Sequence, residues 1–289
     1  AYSGGLDSHV LLHLMQRLKQ QYGITCQAIH INHQLHPKAL QWQQHCQRTC
    51  HQLDIPCTAM TLDLKPKAQD SLEALAREGR YRAFQTILKP NDILLTAHHQ
   101  QDQAETLLLQ LLRGAGPKGL ASMPTSRTLG SGLHIRPLLG CAPEHFHHYA
   151  QQYGLHWIED PSNDNHRFDR NYLRHEIIPK LMKRWPQTLN NLQRSAQHCA
   201  DADQGLHELA KQDASMTHTT LCIKTLKQYV RHRRNNVLRH WVAHHHYPLP
   251  STKQLDEIDR LLFSKSDKQP IISIKGYEIR RYRQQLHLL

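Results

Sequence analysis

An α/β fold is predicted, with a Rossmann-like parallel sheet carrying helices on both faces and a smaller, mostly helical α+β domain after it. Three features of the sequence predict it. Short β-branched runs alternate with longer amphipathic periods over about the first 185 of the 289 residues, the pattern of βαβ units. The composition then shifts after Pro186 toward basic helical periods. The length is that of about two domains at roughly 150 residues each, so residues 1–185 are taken as the first and 186–289 as the second.

The elements follow in chain order. Ser3-Gly4-Gly5-Leu6-Asp7-Ser8 runs directly into an apolar period of Val10, Leu11, Leu12, Leu14 and Leu18, a loop entering a helix. Only Ala1 and Tyr2 precede it, so the strand expected to feed the loop is read as clipped. Residues 24–31, 57–62 and 92–97 read as strands, with a helix at 38–53 between the first two. Asp70 and Glu73 have capping-box spacing and open a helix whose Leu72, Leu75, Ala76, Ala83, Phe84, Ile87 and Leu88 share a face. A helix at 102–113 ends at Gly114, the residue expected in a left-handed cap. Residues 133–139 read as a strand and 144–153 as a helix. In the second domain, helices are expected at 187–211, 224–246 and 251–263, then short strands at 271–274, 277–281 and 286–289.

Composition narrows the class. Lys and Arg number 36 against 24 Asp and Glu, a net charge of +12 that calls for an acidic partner. With 39% hydrophobic and 21% charged residues, the chain is neither disordered nor collagen-like. No apolar run approaches a membrane span. The seven cysteines lack a disulfide-framework spacing and no secretory pattern opens the chain, so a reducing, cytoplasmic setting is expected. Cys46 and Cys50, one helical turn apart beside His45 and His51, read as packed thiols, because no second cysteine pair supplies the rest of a metal set. Most of the 25 histidines read as solvated surface.

The loop at residues 3–8 carries the chemistry. Two glycines admit an anion close to the backbone, the helix N-terminus favours negative charge, and Ser3 and Ser8 add hydroxyl donors. Pyrophosphate suits such a cradle. Asp7 would repel a bare phosphate, so a magnesium ion is expected between them. The loop lacks the Gly-Lys-Ser/Thr ending of a Walker motif, which argues against ordinary phosphoryl transfer.

This loop resembles that of the N-type ATP pyrophosphatases, the PP-loop superfamily. Five further blocks resemble the tRNA(Ile)-lysidine synthetases in order and spacing over about 175 residues. They are His30-Ile31-Asn32-His33; the Ala76-Arg77 and Arg80-Tyr81 pairs; Thr96 to Thr106; Arg113-Gly114-Ala115-Gly116 with Gly119-Leu120; and Glu159-Asp160-Pro161-Ser162-Asn163 with Arg170-Asn171-Tyr172-Leu173-Arg174. The resemblance implies an ATP-dependent ligase. It would join free L-lysine to the wobble cytidine of a CAU-anticodon tRNA(Ile) through an adenylated cytidine, releasing AMP and pyrophosphate. The first domain is then catalytic and the second an accessory tRNA-binding domain, with a further C-terminal domain absent from this chain; a homodimer is compatible with it. Rival readings are a PP-loop tRNA sulfurtransferase, against which the lack of a Cys-x-x-Cys pair argues, and a nonenzymatic RNA-binding module.

The resemblance also assigns residues. Ser3, Gly4, Gly5, Leu6, Asp7, Ser8 and His33 fall to ATP, with Asp7 as the magnesium ligand. Asp102 and Glu105, three apart on one helix face, would clasp the lysine ammonium, with Arg170 beside them. The catalytic set is Asp7, Asp102, Glu105, His98 and His99. The attacking ε-amine starts from a pKa of about 10.4, and His98, His99 or a carboxylate are the candidate acceptors of its proton. Gln101 stands where relatives often carry an acid, and His36 where they often carry arginine. Arg77, Arg80 and Arg174 are assigned to tRNA, as are Lys227, Arg231 and Arg234 of the basic helix that also bears Arg233 and Arg239.

Overall fold

Two residues of extended chain, Ala1 and Tyr2, join two strand ladders into one layer. The Tyr2 amide donates to the Ile29 carbonyl at 2.9 Å, and the Ala1 ammonium donates to the Leu95 carbonyl at 2.7 Å. On one side β1 (Ala28–Asn32) pairs in parallel with β2 (Cys57–Thr61). On the other, β3 (Ile93–Leu95) pairs in parallel with β5 (Gly132–Ile135), which closes an antiparallel hairpin with β4 (Ser126–Leu129). This computed structural model describes residues 1–64, 72–214, 219–264 and 270–289. Its chain divides into two compact units, Ala1–His198 and Cys199–Leu289.

Strand β1 is buried at all five positions, as expected for an interior parallel strand. Its side chains alternate between two helical layers. Ala28 packs with Tyr2 and with Leu12 of α1 (Leu6–Tyr22) and Cys46 and Cys50 of α2 (Ala39–Gln52). Ile29 and Ile31 pack on Ala83 and Phe84 of α3 (Leu72–Ile87), with Leu88 just beyond it, and on Leu94 and Leu129. Helices therefore cover both faces. The thiols at positions 46 and 50 are part of an apolar cluster.

Helix α4 (Gln100–Leu112) follows β3, and Gly114 beyond it has φ +69°, the left-handed geometry its position called for. A single turn α5 (Pro117–Leu120) leads to the hairpin, and α6 (Pro143–Gln152) packs Phe146 and Ala150 on Val10 of α1. A 3-10 turn at Pro161–Asp164, α7 (Asp169–Tyr172), a π-helical turn at Leu173–Ile177 and α8 (Ile178–Arg184) come next, then α9 (Thr188–Asp213).

The second unit has β6 (Thr220–Cys222), α10 (Ile223–Lys227), α11 (Arg231–His244), α12 (Thr252–Phe263), β7 (Ile271–Ile274), β8 (Tyr277–Tyr282) and β9 (Gln285–Leu288). The strands form an antiparallel sheet in the order β6-β9-β8-β7. Trp241, Leu238, Ile258, Leu262, Ile279 and Leu286 fill the core beneath it. Ser251 caps α12 reciprocally with Gln254.

Some sequence expectations are corrected. The single helix expected at 224–246 is two helices, because Val230 is extended (ψ 157°) and the bend is pinned by Arg234 Nη1 donating to the Tyr229 carbonyl at 2.6 Å. The strand expected at 133–139 stops at Ile135, and β4 and β6 were not anticipated. Leu72 and Leu18 are exposed at the ends of their helices. Asp70 lies outside the described residues, as does the side chain of Glu73. Among the described residues no helix is long and apolar enough to cross a membrane.

Candidate functional site

The glycine loop is shaped by what lies beneath it. Gly4 has φ +91°, a conformation that demands glycine, and a Cβ there would lie 2.8 Å from Ile158 Cδ1 and 2.9 Å from Cys46 Sγ, so those side chains would have to shift as well. The Ile158 amide donates to the Gly4 carbonyl at 2.9 Å. Within the loop, Ser8 Oγ donates to the Gly5 carbonyl (3.0 Å) and accepts from the Ser3 amide (3.1 Å), with Ser3 Oγ 2.9 Å away. Gly5 is the N-cap of α1 and has no side chain to satisfy the first-turn amides of Leu6, Asp7 and Ser8. An uncapped helix N-terminus with two hydroxyls beside it is an anion cradle.

Facing this cradle is His99, the N-cap of α4. Its Nδ1 accepts the Gln101 amide at 3.2 Å, so in the neutral ring the proton sits on Nε2. That nitrogen lies 3.5 Å from Asp7 Oδ2 and 3.7 Å from Asp102 Oδ2. Burial opposes a charged imidazole, but the hydrogen bond to Asp7 and the charges of Asp102 and Asp7 outweigh it and raise the His99 pKa. Asp102 Oδ2 in turn accepts the His99 amide at 2.9 Å, completing a capping box that the residue types did not announce.

Asp102 and Glu105 already hold two guanidinium groups. Arg170 donates to Glu105 Oε2 through Nε (2.5 Å) and to Asp102 Oδ1 through Nη2 (2.8 Å). Arg174 donates to Glu105 Oε1 through Nε (2.6 Å), and through Nη2 to Asp102 Oδ1 (3.1 Å) and Glu105 Oε2 (3.2 Å). The Glu105 side chain is fully buried, and the two acids balance the two arginines. Burial would raise the Asp102 pKa, but His99, Arg170, His98 and Arg174 hold it down at about 2. The expectation of a free ammonium clasp is thus modified: Glu105 anchors arginines, and Arg174, expected on tRNA, is drawn into the same cluster. The Asn171 amide fixes the segment carrying both arginines by donating to the Ser162 and Asn165 carbonyls (2.9 and 3.1 Å). Arg174 lies in the π-helical turn, a geometry often found at functional sites.

His98 points into a different network. Its Nδ1 is 2.8 Å from Thr96 Oγ1, which is also 2.8 Å from His134 Nε2. Arg127, cross-strand from His134, donates to His134 Nδ1 at 3.3 Å, and Arg136 Nη2 is 3.4 Å from the same atom. Burial and the charges of Arg136 and Arg127 press the His134 pKa down to about 3. His98 also falls to about 3, through burial above all. Sequence reasoning missed His134, Arg127 and Arg136; the signal was a histidine at an inward-facing strand position followed two residues later by a buried arginine.

The other expected residues lie elsewhere. Arg77 and Arg80 approach the Tyr81 ring at 5.4 and 5.8 Å, joined by Arg127 at 4.7 Å. Burial, with the charges of Arg80 and His30, lowers the His33 pKa to about 4, and its buried Nδ1 has no partner among the described residues. In the second unit Arg234 is only 8% exposed, donates to Asp259 and packs over Phe263; a guanidinium spent this way has little left for phosphate, contrary to its assignment to tRNA. Arg231 is exposed and paired with Asp256, and the Lys227 ammonium lies 5.1 Å from the Phe263 ring centre.

A glycine-rich anion cradle at the carboxyl edge of a parallel sheet, faced by the histidine and acids of the helix that follows β3, defines the PP-loop class of nucleotide-binding domains. The PP-loop domain family matches residues 1–181, and the TilS substrate binding domain family matches residues 221–287. The tRNA(Ile)-lysidine synthase of Coxiella burnetii is 47% identical over 291 residues, covering 100% of this chain and 65% of that protein. Those of Pectobacterium atrosepticum and Methylococcus capsulatus are each 41% identical, covering 100% of this chain and 66% and 67% of theirs. This chain belongs to the PP-loop family and, within it, to the tRNA(Ile)-lysidine synthases, of whose length it spans about two thirds. A U34-tRNA thiolase, NcsA from Methanococcus maripaludis with its [4Fe-4S] cluster, shares the fold at TM-score 0.58 and 15% identity, over 68% of this chain and 69% of that one.

Proposed function

We propose that the chain catalyses ATP-dependent attachment of L-lysine to the wobble cytidine of the CAU anticodon of tRNA(Ile). The observation that carries this is the uncapped loop at residues 3–8 facing His99 and the Asp102–Glu105–Arg170–Arg174 cluster, in a chain whose whole length aligns with about two thirds of a lysidine synthase. The cytidine O2 attacks the α-phosphorus of ATP, and pyrophosphate departs into the loop, where the amides of Leu6, Asp7 and Ser8 and the Ser3 hydroxyl receive its charge, with Ser8 Oγ holding the loop through the Gly5 carbonyl. The lysine ε-amine then displaces AMP at the activated carbon. His33, whose Nδ1 has no partner among the described residues, is assigned to ATP.

Magnesium fits one residue here: the Asp7 side chain is 41% exposed beside the cradle, and Mg²⁺ commonly takes one or two carboxylates, with water and substrate phosphates completing its shell. Bound there, it would neutralise charge on the leaving pyrophosphate. Lysine is assigned to Asp102, whose Oδ2 accepts one backbone amide, and to Arg170 for the α-carboxylate, with Glu105 keeping both arginines in place. Arg77, Arg80, Lys227 and Arg231 are assigned to tRNA phosphates. A cytoplasmic location suits the seven free thiols. A sulfurtransferase reading is not favoured, since the thiolase shares the fold alone.

The test is incubation with labelled lysine, ATP, Mg²⁺ and tRNA(Ile) bearing CAU. Label in the tRNA is the expected outcome; none from folded protein refutes the proposal.

A further inference from the structure

The network behind His98 admits one arrangement of protons that wastes none. His134 Nδ1 faces guanidinium donors from Arg127 and Arg136 at 3.3 and 3.4 Å and must accept. Its ring proton is then on Nε2, which donates to Thr96 Oγ1 at 2.8 Å. The Thr96 hydroxyl has one proton left, and the acceptor in reach is His98 Nδ1 at 2.8 Å. Thr96 and His134 are both buried, so a proton pointed elsewhere would be left without a partner. The direction runs from the arginines through His134 and Thr96 to His98.

We propose that His134 is a positioning residue: acting through Thr96, it locks His98 in the neutral form that carries its proton on Nε2, so that His98 offers the site a hydrogen-bond donor and cannot serve as the base for the lysine amine. The groups facing His98 are Asp102, Arg136, Arg170 and Arg80, and those facing His134 are Arg136, Arg127, Arg77 and the N-terminal amine. The three arginines around His98 oppose a second proton on its ring, and Asp102 is the opposing acid. The donor role belongs to His98; His134 touches no reacting atom.

The catalytic part of this inference rests on the lysidine reading; the tautomer does not. Long-range ¹H–¹⁵N correlation of the ¹⁵N-histidine-labelled chain, with His98 assigned by difference against His98→Gln, reports which nitrogen bears the proton. The Nε2–H pattern is expected unchanged from pH 5 to 8. Thr96→Val and His134→Leu should each give a mixture of tautomers, while His134→Gln, whose amide nitrogen reaches the Nε2 position, should retain the native pattern. In lysidine formation Thr96→Val should lower kcat roughly tenfold, about the effect of one net hydrogen bond, with KM for ATP little changed and His134→Gln near the parent. A native Nδ1–H or doubly protonated His98, or an unchanged pattern in a folded Thr96→Val, overturns the proposal. A chain with the expected tautomer that makes no lysidine refutes the lysidine reading and supports the tautomer assignment.

Discussion

Replacing Glu105 with Gln tests whether this acid is an anchor or a lysine ligand. The substitution preserves volume and removes the charge. Three hydrogen bonds now reach the carboxylate, at 2.5, 2.6 and 3.2 Å. Removing one partner of a buried ion pair costs about 3–5 kcal/mol. The arginine side chains are 22% and 27% exposed, so water can stabilise part of their charge and the low end, about 3 kcal/mol, applies. At roughly 2–4 °C per kcal/mol for a unit of this size, the melting transition of the first unit should fall by about 6–12 °C. Differential scanning calorimetry of the parent and Glu105→Gln chains reads this directly. A midpoint within a degree of the parent, together with a raised KM for lysine, would refute the anchor and restore Glu105 to the ammonium.

Other expectations can be checked alongside. Gly4→Ala meets backbone strain and two close contacts, so ATP–pyrophosphate exchange should be lost even in preparations that stay folded, and retained exchange would contradict the close packing. Arg234→Ala should destabilise the second unit by about 2–4 kcal/mol, by stranding Asp259 and uncovering Phe263; Arg231→Ala should leave the melting point near the parent and weaken tRNA binding at low salt, as filter binding would measure. His134 is neutral in the fold, with its pKa near 3. Below about pH 6.5 the unfolded chain takes up a proton that the fold refuses, so stability falls as pH drops toward 3 and is untouched above 6.5. The loss is about 2 kcal/mol at pH 5, and His134→Gln should remove about that much of the fall in unfolding free energy, read from urea titrations at pH 7 and pH 5.

Legibility followed locality. The loop at residues 3–8 was readable because its chemistry is written in six adjacent residues, and the α3 face because Ala76, Ala83 and Phe84 repeat at helical spacing. The Asp102–Glu105 pair was visible as a motif, but its occupancy by Arg170 and Arg174 depends on contacts 65 to 72 residues apart along the chain. His134 is joined to Thr96 across 38 residues, and nothing near either position signals the other. The break before α11 was hidden for a similar reason: no glycine or proline marks residues 228–230, and the bend is held by a tertiary hydrogen bond from Arg234.

The floor beneath Gly4 has a consequence for reading mutational scans. Cys46 Sγ and Ile158 Cδ1 occupy the space into which any side chain at position 4 would grow, so the relation also runs in reverse. Bulkier residues at 46 or 158 would push the loop upward and out of register with its ligand. A screen scored on ATP turnover would therefore flag both positions as if they were catalytic, although neither contributes a reactive group.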